Sequence, residues 1–449
     1  MIRATVTVAA TTLLIARPSL IKAMATTTNS NLPTLKGVVF DMDDTLVKAN
    51  LDIGAMYKEV FGRDPPEGYD ILKEVNAIEN PDEKARAFQI IEDIEEESRQ
   101  QMTFMPGCPE VLTWLSHHNI PKALVTRNSE TTTKAFCEKL ASLPMGLSFE
   151  RAITRDDSKG GEKSNPIPPK PDPTAMNLLA EQCFECETSE ILMVGDSIPN
   201  DVAFGKNAGT QTALLLDSES SSKDAPADIC VHHLTELPKN LWKSFSIDGP
   251  LGNTPEANQR PLHGSPPPEP QSELCLAVVD GNAEAVRALL NDMSIEDMTK
   301  PDKDNGNTAL IWACEKGYVE IANLLLSTIA TKLKDDTVET RDQTLSSYFN
   351  HRGFLGATAL NRAARRGHTS ILELLLGGGS VPADLFDKDL PNAKLQYPLH
   401  FAAFKKNPDA LRYLLEKGAN PWVLDRKGRT PLEDTSCETC KSLLREAMN

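Results

Sequence analysis

Val38-Val39-Phe40-Asp41-Met42-Asp43-Asp44-Thr45-Leu46 decides the reading of the first half of the chain. An apolar run that stops abruptly at acidic residues is the pattern of a buried strand delivering carboxylates to the edge of a sheet. Asp41, Asp43 and Asp44 crowd three carboxylates into four positions, where they would repel one another. A hard cation with oxygen ligands relieves that conflict, and magnesium is commonly bound through one or two carboxylates together with a substrate phosphate.

Outward from this stretch, short apolar runs at 36–40, 122–125, 150–153, 191–194 and 211–216 alternate with helix-like segments. The alternation predicts βα units around a parallel sheet, and ligands of such sheets bind beyond the carboxyl ends of the strands. Three further strand ends carry chemistry. Gly195-Asp196-Ser-Ile-Pro-Asn-Asp201 follows the 191–194 run, and parallel pairing would bring Asp196 beside Asp41. Thr126-Arg127-Asn128 follows Leu124-Val125, and Lys170-Pro-Asp-Pro173 opens a helix. A hydroxyl and an ammonium group are what a transferring phosphoryl group needs around it. Between about 49 and 105 the rhythm gives way to helical material that reads as an inserted cap, with the acidic run 92–97 as a solvated helix face.

The four motifs, at 38–46, 124–128, 170–173 and 193–197, together with Asn200-Asp-Val-Ala-Phe-Gly-Lys-Asn-Ala-Gly209, resemble the haloacid-dehalogenase superfamily. The likeness is to its phosphatase-like members related to phosphoglycolate phosphatase, with a small helical cap closed by Pro106-Gly107. It implies an α/β Rossmann-like core and a set of roles. Asp41 would be the nucleophile that becomes an aspartyl phosphate, and Asp43 the general acid and base. Mg2+ would be held by Asp41, the backbone carbonyl of Asp43 and Asp196, with Asp201 a ligand or the partner of one. Thr126 and Lys170 would grip the phosphoryl oxygens, and Asn128 would orient substrate. Asp43 matters for reaction class, because the true dehalogenases of this fold lack an aspartate two residues after the nucleophile. The sequence departs from the pattern twice. Asp44 stands where many relatives have glycine, and residues 158–169 make a Gly/Ser/Pro-rich loop long enough to displace Lys170.

The second half repeats itself. Leu274, Leu310, Leu360, Leu399 and Leu432 share one phase, and Gly281, Gly317 and Gly367 each follow their leucine by seven residues. Asn307-Thr-Ala-Leu-Ile-Trp-Ala-Cys314, Ala357-Thr-Ala-Leu-Asn-Arg-Ala-Ala364 and Tyr397-Pro-Leu-His-Phe-Ala-Ala403 resemble ankyrin repeats, as does Gly428-Arg-Thr-Pro-Leu432. The resemblance implies an all-α solenoid whose units bury their leucines against neighbours. Lys406 replaces the glycine of the fourth unit, predicting an irregular turn, and the polar insertion 327–356 reads as a loop on one face.

These observations divide the chain into a presequence at 1–31, a hydrolase unit at 32–245, a Pro-rich linker at 246–271 and an ankyrin stack at 272–449. The presequence reading rests on composition: no acidic residue precedes Asp41, while Arg3, Arg17, Lys22 and Lys36 stand among Thr, Ser and Ala. That points to a plastid or mitochondrion. The cytoplasm is the alternative, and a secretory signal the rival because of Ala23-Met24-Ala25. The apolar run at 4–16 is too short and threonine-rich to span a bilayer. A net charge of −17 argues against nucleic acid as a partner. Nine scattered cysteines do not form a disulfide framework, and the spaced pairs Cys183/Cys186 and Cys437/Cys440 read as structural or surface thiols. His117/His118 and His232/His233 read as surface residues. The expected function is hydrolysis of a small phosphorylated metabolite, with the ankyrin stack binding an unidentified protein. The alternatives are an ankyrin scaffold carrying a weak or inactive hydrolase, and a phosphomutase.

Overall fold

The computed structural model describes residues 32–48, 53–66, 71–143, 146–159, 166–217, 225–247 and 268–448. The presequence, most of the linker and the middle of the 158–169 loop lie outside the described residues.

Six parallel strands form the central sheet: β1 Gly37–Phe40, β4 Lys122–Val125, β5 Arg151–Ile153, β6 Ile191–Gly195, β7 Gln211–Leu215 and β8 Ile229–Val231, in the order β5-β4-β1-β6-β7-β8. β1, β4 and β6 are buried along their whole length, which is why they read as uninterrupted apolar runs. The connecting helices are α4 Cys108–His117, α5 Glu130–Ala141, α6 Thr174–Leu179, α7 Ala203–Ala208 and α8 Leu237–Ser244. Three helices make the cap: α1 Ile53–Phe61, α2 Ile71–Asn76 and α3 Pro81–Gln100. Where the chain enters and leaves the cap, β2 Val47–Lys48 pairs antiparallel with β3 Thr103–Phe104. β2, β3 and β8 are two or three residues long, too short to register as periodic patterns in the sequence.

The C-terminal half is helical throughout. Paired helices Ala309–Lys316 with Val319–Lys332, Ala359–Arg366 with Thr369–Leu376, and Pro398–Phe404 with Pro408–Glu416 stack side by side; Glu273–Val279 with Ala283–Asp292 precedes them and Pro431–Asp434 with Glu438–Met448 follows. Two expectations need correction. The insertion 327–356 is not a loop. Val319–Lys332 runs into it, and a separate helix, Val338–Phe349, is capped by Thr337 and buries Leu345, Tyr348 and Phe349, with Phe349 stacked on Phe386 at 4.3 Å. The turn at Lys406 is also regular. Lys406 adopts φ +59°, beside +72°, +80° and +74° at Gly281, Gly317 and Gly367, and Asn407 N–H bonds Ala402 O at 2.9 Å as Tyr318 N–H bonds Ala313 O at 3.1 Å. The solenoid imposes the left-handed conformation on a side chain that disfavours it, at a cost of about 1 kcal/mol.

The two halves share a seam that the sequence did not announce. Leu395, Tyr397, Val423 and Leu424, from the turn tips of the last repeats, belong to the same buried cluster as Trp114, Leu234 and Leu241 of the hydrolase half. Trp114 Nε1 donates to Arg426 O at 3.2 Å, Asn420 Nδ2 donates to Glu110 at 2.5 Å, and Lys239 pairs with Glu433. His233 stacks on Trp422 at 4.0 Å and His118 on Trp114 at 4.0 Å, so these two histidines pack in and behind the seam; His117 is half-buried, and of the four expected at the surface only His232 is exposed. Gly428 has φ +72°, and a Cβ there would sit 2.5 Å from Cβ of Pro238. Gly428→Ala is expected to weaken the seam by about 1–3 kcal/mol, seen as one cooperative thermal transition splitting into two. A single unchanged transition would show that the halves unfold independently of this contact.

Candidate functional site

The register of the sheet assembles the site. Phe40 pairs with Val194 of β6 and with Leu124 of β4, so the residues that follow these strands, Asp41, Asp196 and Thr126, emerge at one sheet edge. The Asp41 amide bonds Val194 O at 2.9 Å and the Thr126 amide bonds Ile153 O at 2.9 Å, extending the ladder to the reacting groups themselves. Side chains are therefore fixed by backbone pairing rather than by flexible loops.

Lys170 is the hub. Its Nζ donates to Asp41 Oδ1 at 2.5 Å and to Asp201 Oδ1 at 2.6 Å, with the Lys170 and Asp201 side chains only 3% and 2% exposed. The loop before Lys170 therefore does not displace it. Asp41, Asp196 and Asp201 each offer a carboxylate oxygen within 4.8 Å of the others. Asp43 is not in this cluster; its carboxylate turns across the cleft and accepts from Asn128 Nδ2 at 2.9 Å. Thr126 Oγ1 in turn accepts from the amide of Asn128 at 3.1 Å and from Asn128 Nδ2 at 3.2 Å. Asn128 thus links the two groups expected to touch opposite sides of a phosphoryl group. Asp201 fits beneath the strand end because residue 195 is glycine: a Cβ there would lie 2.3 Å from Asp201 Cγ.

Electrostatics follow from two buried carboxylates, Asp41 and Asp201, facing one buried ammonium, with the exposed Asp196 close beside them. Burial drives the Asp41 carboxyl up to about 7, against the pull of Lys170 and with the charge of Asp201 adding to the rise. Asp196 is raised to about 6 by desolvation and then by Asp201. Desolvation also raises Asp43, partly offset by the Asn128 hydrogen bond. Burial lowers Lys170, but Asp41 and Asp201 outweigh it and leave the ammonium firmly protonated. One divalent cation would discharge the surplus of negative charge, and an all-oxygen donor set suits magnesium.

A cleft of about 490 Å³ extends from Asp43, Thr126, Asn128 and Lys170 to Met56, Ile71 and Ile91 of the cap. Here the structure corrects the reading of the 92–97 run. Glu95 is not solvated: it is 8% exposed, lines the cleft and pairs with Arg155 Nη1 at 3.1 Å, tying α3 to the core. Its neighbour Arg99 gathers Glu92 at 2.7 Å and donates to Thr132 of α5 at 3.3 Å. The sequence did hold a signal, since Ala87, Ile91 and Glu95 lie four apart on the buried face of α3. Thr45 was also missed. It is fully buried and donates to Asp196 Oδ1 at 3.3 Å, fixing the most exposed carboxylate of the cluster.

The family model for haloacid dehalogenase-like hydrolases matches residues 38–215, and that for ankyrin repeats matches three times, at 257–336, 338–425 and 360–447. A haloacid dehalogenase-like hydrolase domain-containing protein of Arabidopsis thaliana is 33% identical over 240 residues, which are 52% of this chain and 87% of that protein. The chain belongs to the haloacid dehalogenase-like hydrolases. Two other relatives each match a little under half of this hydrolase. An uncharacterized hydrolase of Saccharomyces cerevisiae is 30% identical over 46% of this chain and 90% of its own length. Hexitol phosphatase A of Escherichia coli is 26% identical over 45% of this chain and 93% of its own length. Among the described residues of the hydrolase, no helix is long and apolar enough to cross a membrane.

Proposed function

We propose that this hydrolase is a magnesium-dependent phosphatase that cleaves a small phosphorylated metabolite through an aspartyl phosphate on Asp41. The observation that carries the reading is Lys170 Nζ held at 2.5 Å from Asp41 and 2.6 Å from Asp201, beside a three-carboxylate cluster at the end of the cleft. Asp41 attacks the phosphorus as the ester P–O bond breaks, and Asp43 gives its proton to the departing alcohol oxygen. Asp43 then takes a proton from water, whose oxygen attacks phosphorus and frees Asp41. Lys170 and Thr126 hold phosphoryl oxygens and stabilise the charge that spreads over them. Asn128 orients Asp43 until substrate arrives. Asp41, the Asp43 carbonyl, Asp196 and Asp201 are the groups that would hold magnesium. When bound, it supplies charge neutralisation on the phosphoryl oxygens. Asp43 disfavours dehalogenation, and the kinship with a named hexitol phosphatase supports a phosphoric monoester as substrate. The test is hydrolysis of p-nitrophenyl phosphate, then of a panel spanning polyol phosphates and phosphoglycolate, with and without magnesium. Release of phosphate only with metal supports the reading, and phosphate moved to a second position of the substrate would instead mark a mutase.

Stability carries the same signature. The carboxyls of Asp41 and Asp196 rise from an ordinary 3.8 to about 7 and about 6. A raised acid contributes stability that is complete below its ordinary pKa and lost as pH climbs through the raised one. The metal-free protein should therefore lose stability between roughly pH 4 and 7. Magnesium should raise the melting temperature more at about pH 8 than at about pH 5, because only ionised carboxylates bind it. Equal shifts at both pH values would contradict the assigned ligands.

The ankyrin half reads as a surface for a protein partner, with the turn tips at the seam already committed to the hydrolase. Pull-down with the full-length Asp41→Asn chain tests it by recovery of one partner that a chain ending at residue 271 does not capture. The reading that residues 1–31 address the chain to a plastid or mitochondrion rests on composition. It is tested by the location of a fluorescent fusion with and without them.

A further inference from the structure

We propose that Cys437 and Cys440 form a reversible redox site, a dithiol at the start of the last helix that exchanges with small disulfides of the glutathione type. The helix is Glu438–Met448, and Cys437 occupies its N-cap: its carbonyl accepts the first helical bond from the amide of Lys441 at 2.9 Å. Cys440 falls in the first turn, on the inward face. It is fully buried against the core of the stack, whereas Cys437 keeps partial contact with solvent. Cys437 at the N-cap and Cys440 three residues on share the first turn, the spacing at which an N-cap side chain faces the free amides of that turn. An N-cap side chain normally offers oxygen to these amides, and here a sulfur stands in that place, where a thiolate is favoured.

The arrangement separates two roles. The Cys440 and Thr439 hydrogen bonds hold the Cys437 thiol below its ordinary range, and burial pushes Cys440 up to about 12. One sulfur is thus an accessible nucleophile, and its neighbour stays protonated until needed. In the first step the Cys437 thiolate attacks one sulfur of glutathione disulfide. A Cys437–glutathione bond forms, the disulfide bond breaks and one glutathione leaves as thiolate, taking up the proton that Cys440 gives up. Cys440 then attacks Cys437 Sγ, forming the internal disulfide and releasing the second glutathione. The dithiol is oxidised by two electrons and glutathione disulfide is reduced to two thiols. Closing the bond pins the first turn of a helix that packs on Pro408–Glu416 of the preceding repeat.

The chain carries its own control. Cys183 and Cys186 have the same spacing but lie at the opposite end of a helical segment: Cys183 sits within Ala180–Phe184 and Cys186 follows it, its amide bonding back to Ala180 O at 3.0 Å. Carbonyl oxygens rather than amides crowd a helix C-terminus, which disfavours a thiolate. Burial raises both thiols, Cys186 to about 11. Spacing alone would make the two pairs equivalent; position on the helix makes them opposites.

The experiment equilibrates the full-length protein in glutathione buffers of graded ratio at neutral pH, quenches with acid, alkylates free thiols and maps the peptides by mass spectrometry. The expected result is a Cys437–Cys440 disulfide that forms and reverses with the ratio while Cys183 and Cys186 remain thiols. Cys440→Ala should instead accumulate glutathione on Cys437. In the unaltered protein, which needs no refolding control, iodoacetamide should modify Cys437 at least about tenfold faster than Cys186. The proposal is overturned if no internal disulfide forms at this pair, or if Cys183–Cys186 oxidises at the same or less oxidising ratios.

Discussion

Asp41→Asn should reduce hydrolysis of phosphate esters by on the order of 10⁴-fold or more, without unfolding the protein. The amide cannot form an aspartyl phosphate, so the two-step route closes and only unassisted attack by water remains. The fold should survive because Asp41 holds its place through backbone pairing to Val194, and the substitution changes neither volume nor that hydrogen bond. Lys170 keeps Asp201 as a partner at 2.6 Å. Circular dichroism and melting temperature near those of the unaltered protein, with turnover gone, would meet the expectation. Full activity in this variant would remove Asp41 from the reaction.

Lys170→Met should cost on the order of 10³-fold in turnover and, unlike the first variant, should also destabilise the metal-free protein, by about 3–5 kcal/mol. The ammonium is the only cation in contact with both Asp41 and Asp201 among the hydrogen bonds and ion pairs of the described residues, and all three side chains are nearly dry. Methionine fills the space but leaves two carboxylates facing each other. The loss should shrink as pH falls from about 8 to about 5, because Asp41, already raised to about 7 by burial, gives up its charge first. Magnesium should restore part of the stability and little of the rate. Urea titration at both pH values reads this directly; a variant as stable as the original at the higher pH would mean that the carboxylates are not coupled through Lys170.

The contrast between these two positions shows why the site was legible in sequence. Asp41, Thr126 and Asp196 each follow a strand directly, so a one-dimensional pattern, apolar run then polar group, already specifies a common edge once the strands are parallel. Lys170 was legible by its motif, but its reach to Asp41 had to be seen, because the loop before it gave no measure of its path. Glu95 was misread since an acidic run dominates a helix whose buried face is narrow; the row Ala87, Ile91, Glu95 is visible only after the face is chosen. The seam was hidden for a different reason. Leu395, Tyr397, Val423 and Leu424 sit in turns, where apolar residues carry no period, and their partners lie far earlier in the chain, 312 positions apart for Trp114 and Arg426. Likewise the helix Val338–Phe349 presents just three buried residues in a polar stretch, and nothing local distinguishes that from a loop.

The seam also changes how the two halves should be regarded. A Pro-rich linker suggests independent beads, yet Trp114, Glu110 and Lys239 meet Arg426, Asn420 and Glu433 across a shared core. Glu110 lies on α4, the helix that begins where the cap returns to the sheet, so the repeats brace the element from which the cap hangs.

The most direct test of the central claim is acid quenching of the full-length protein during turnover with magnesium and a phosphate ester, followed by peptide mapping for a phosphoryl group. The account predicts the adduct on Asp41, enriched in Asp43→Asn when an activated ester such as p-nitrophenyl phosphate is used. Steady hydrolysis with no adduct on Asp41, or an adduct on another residue, would contradict it.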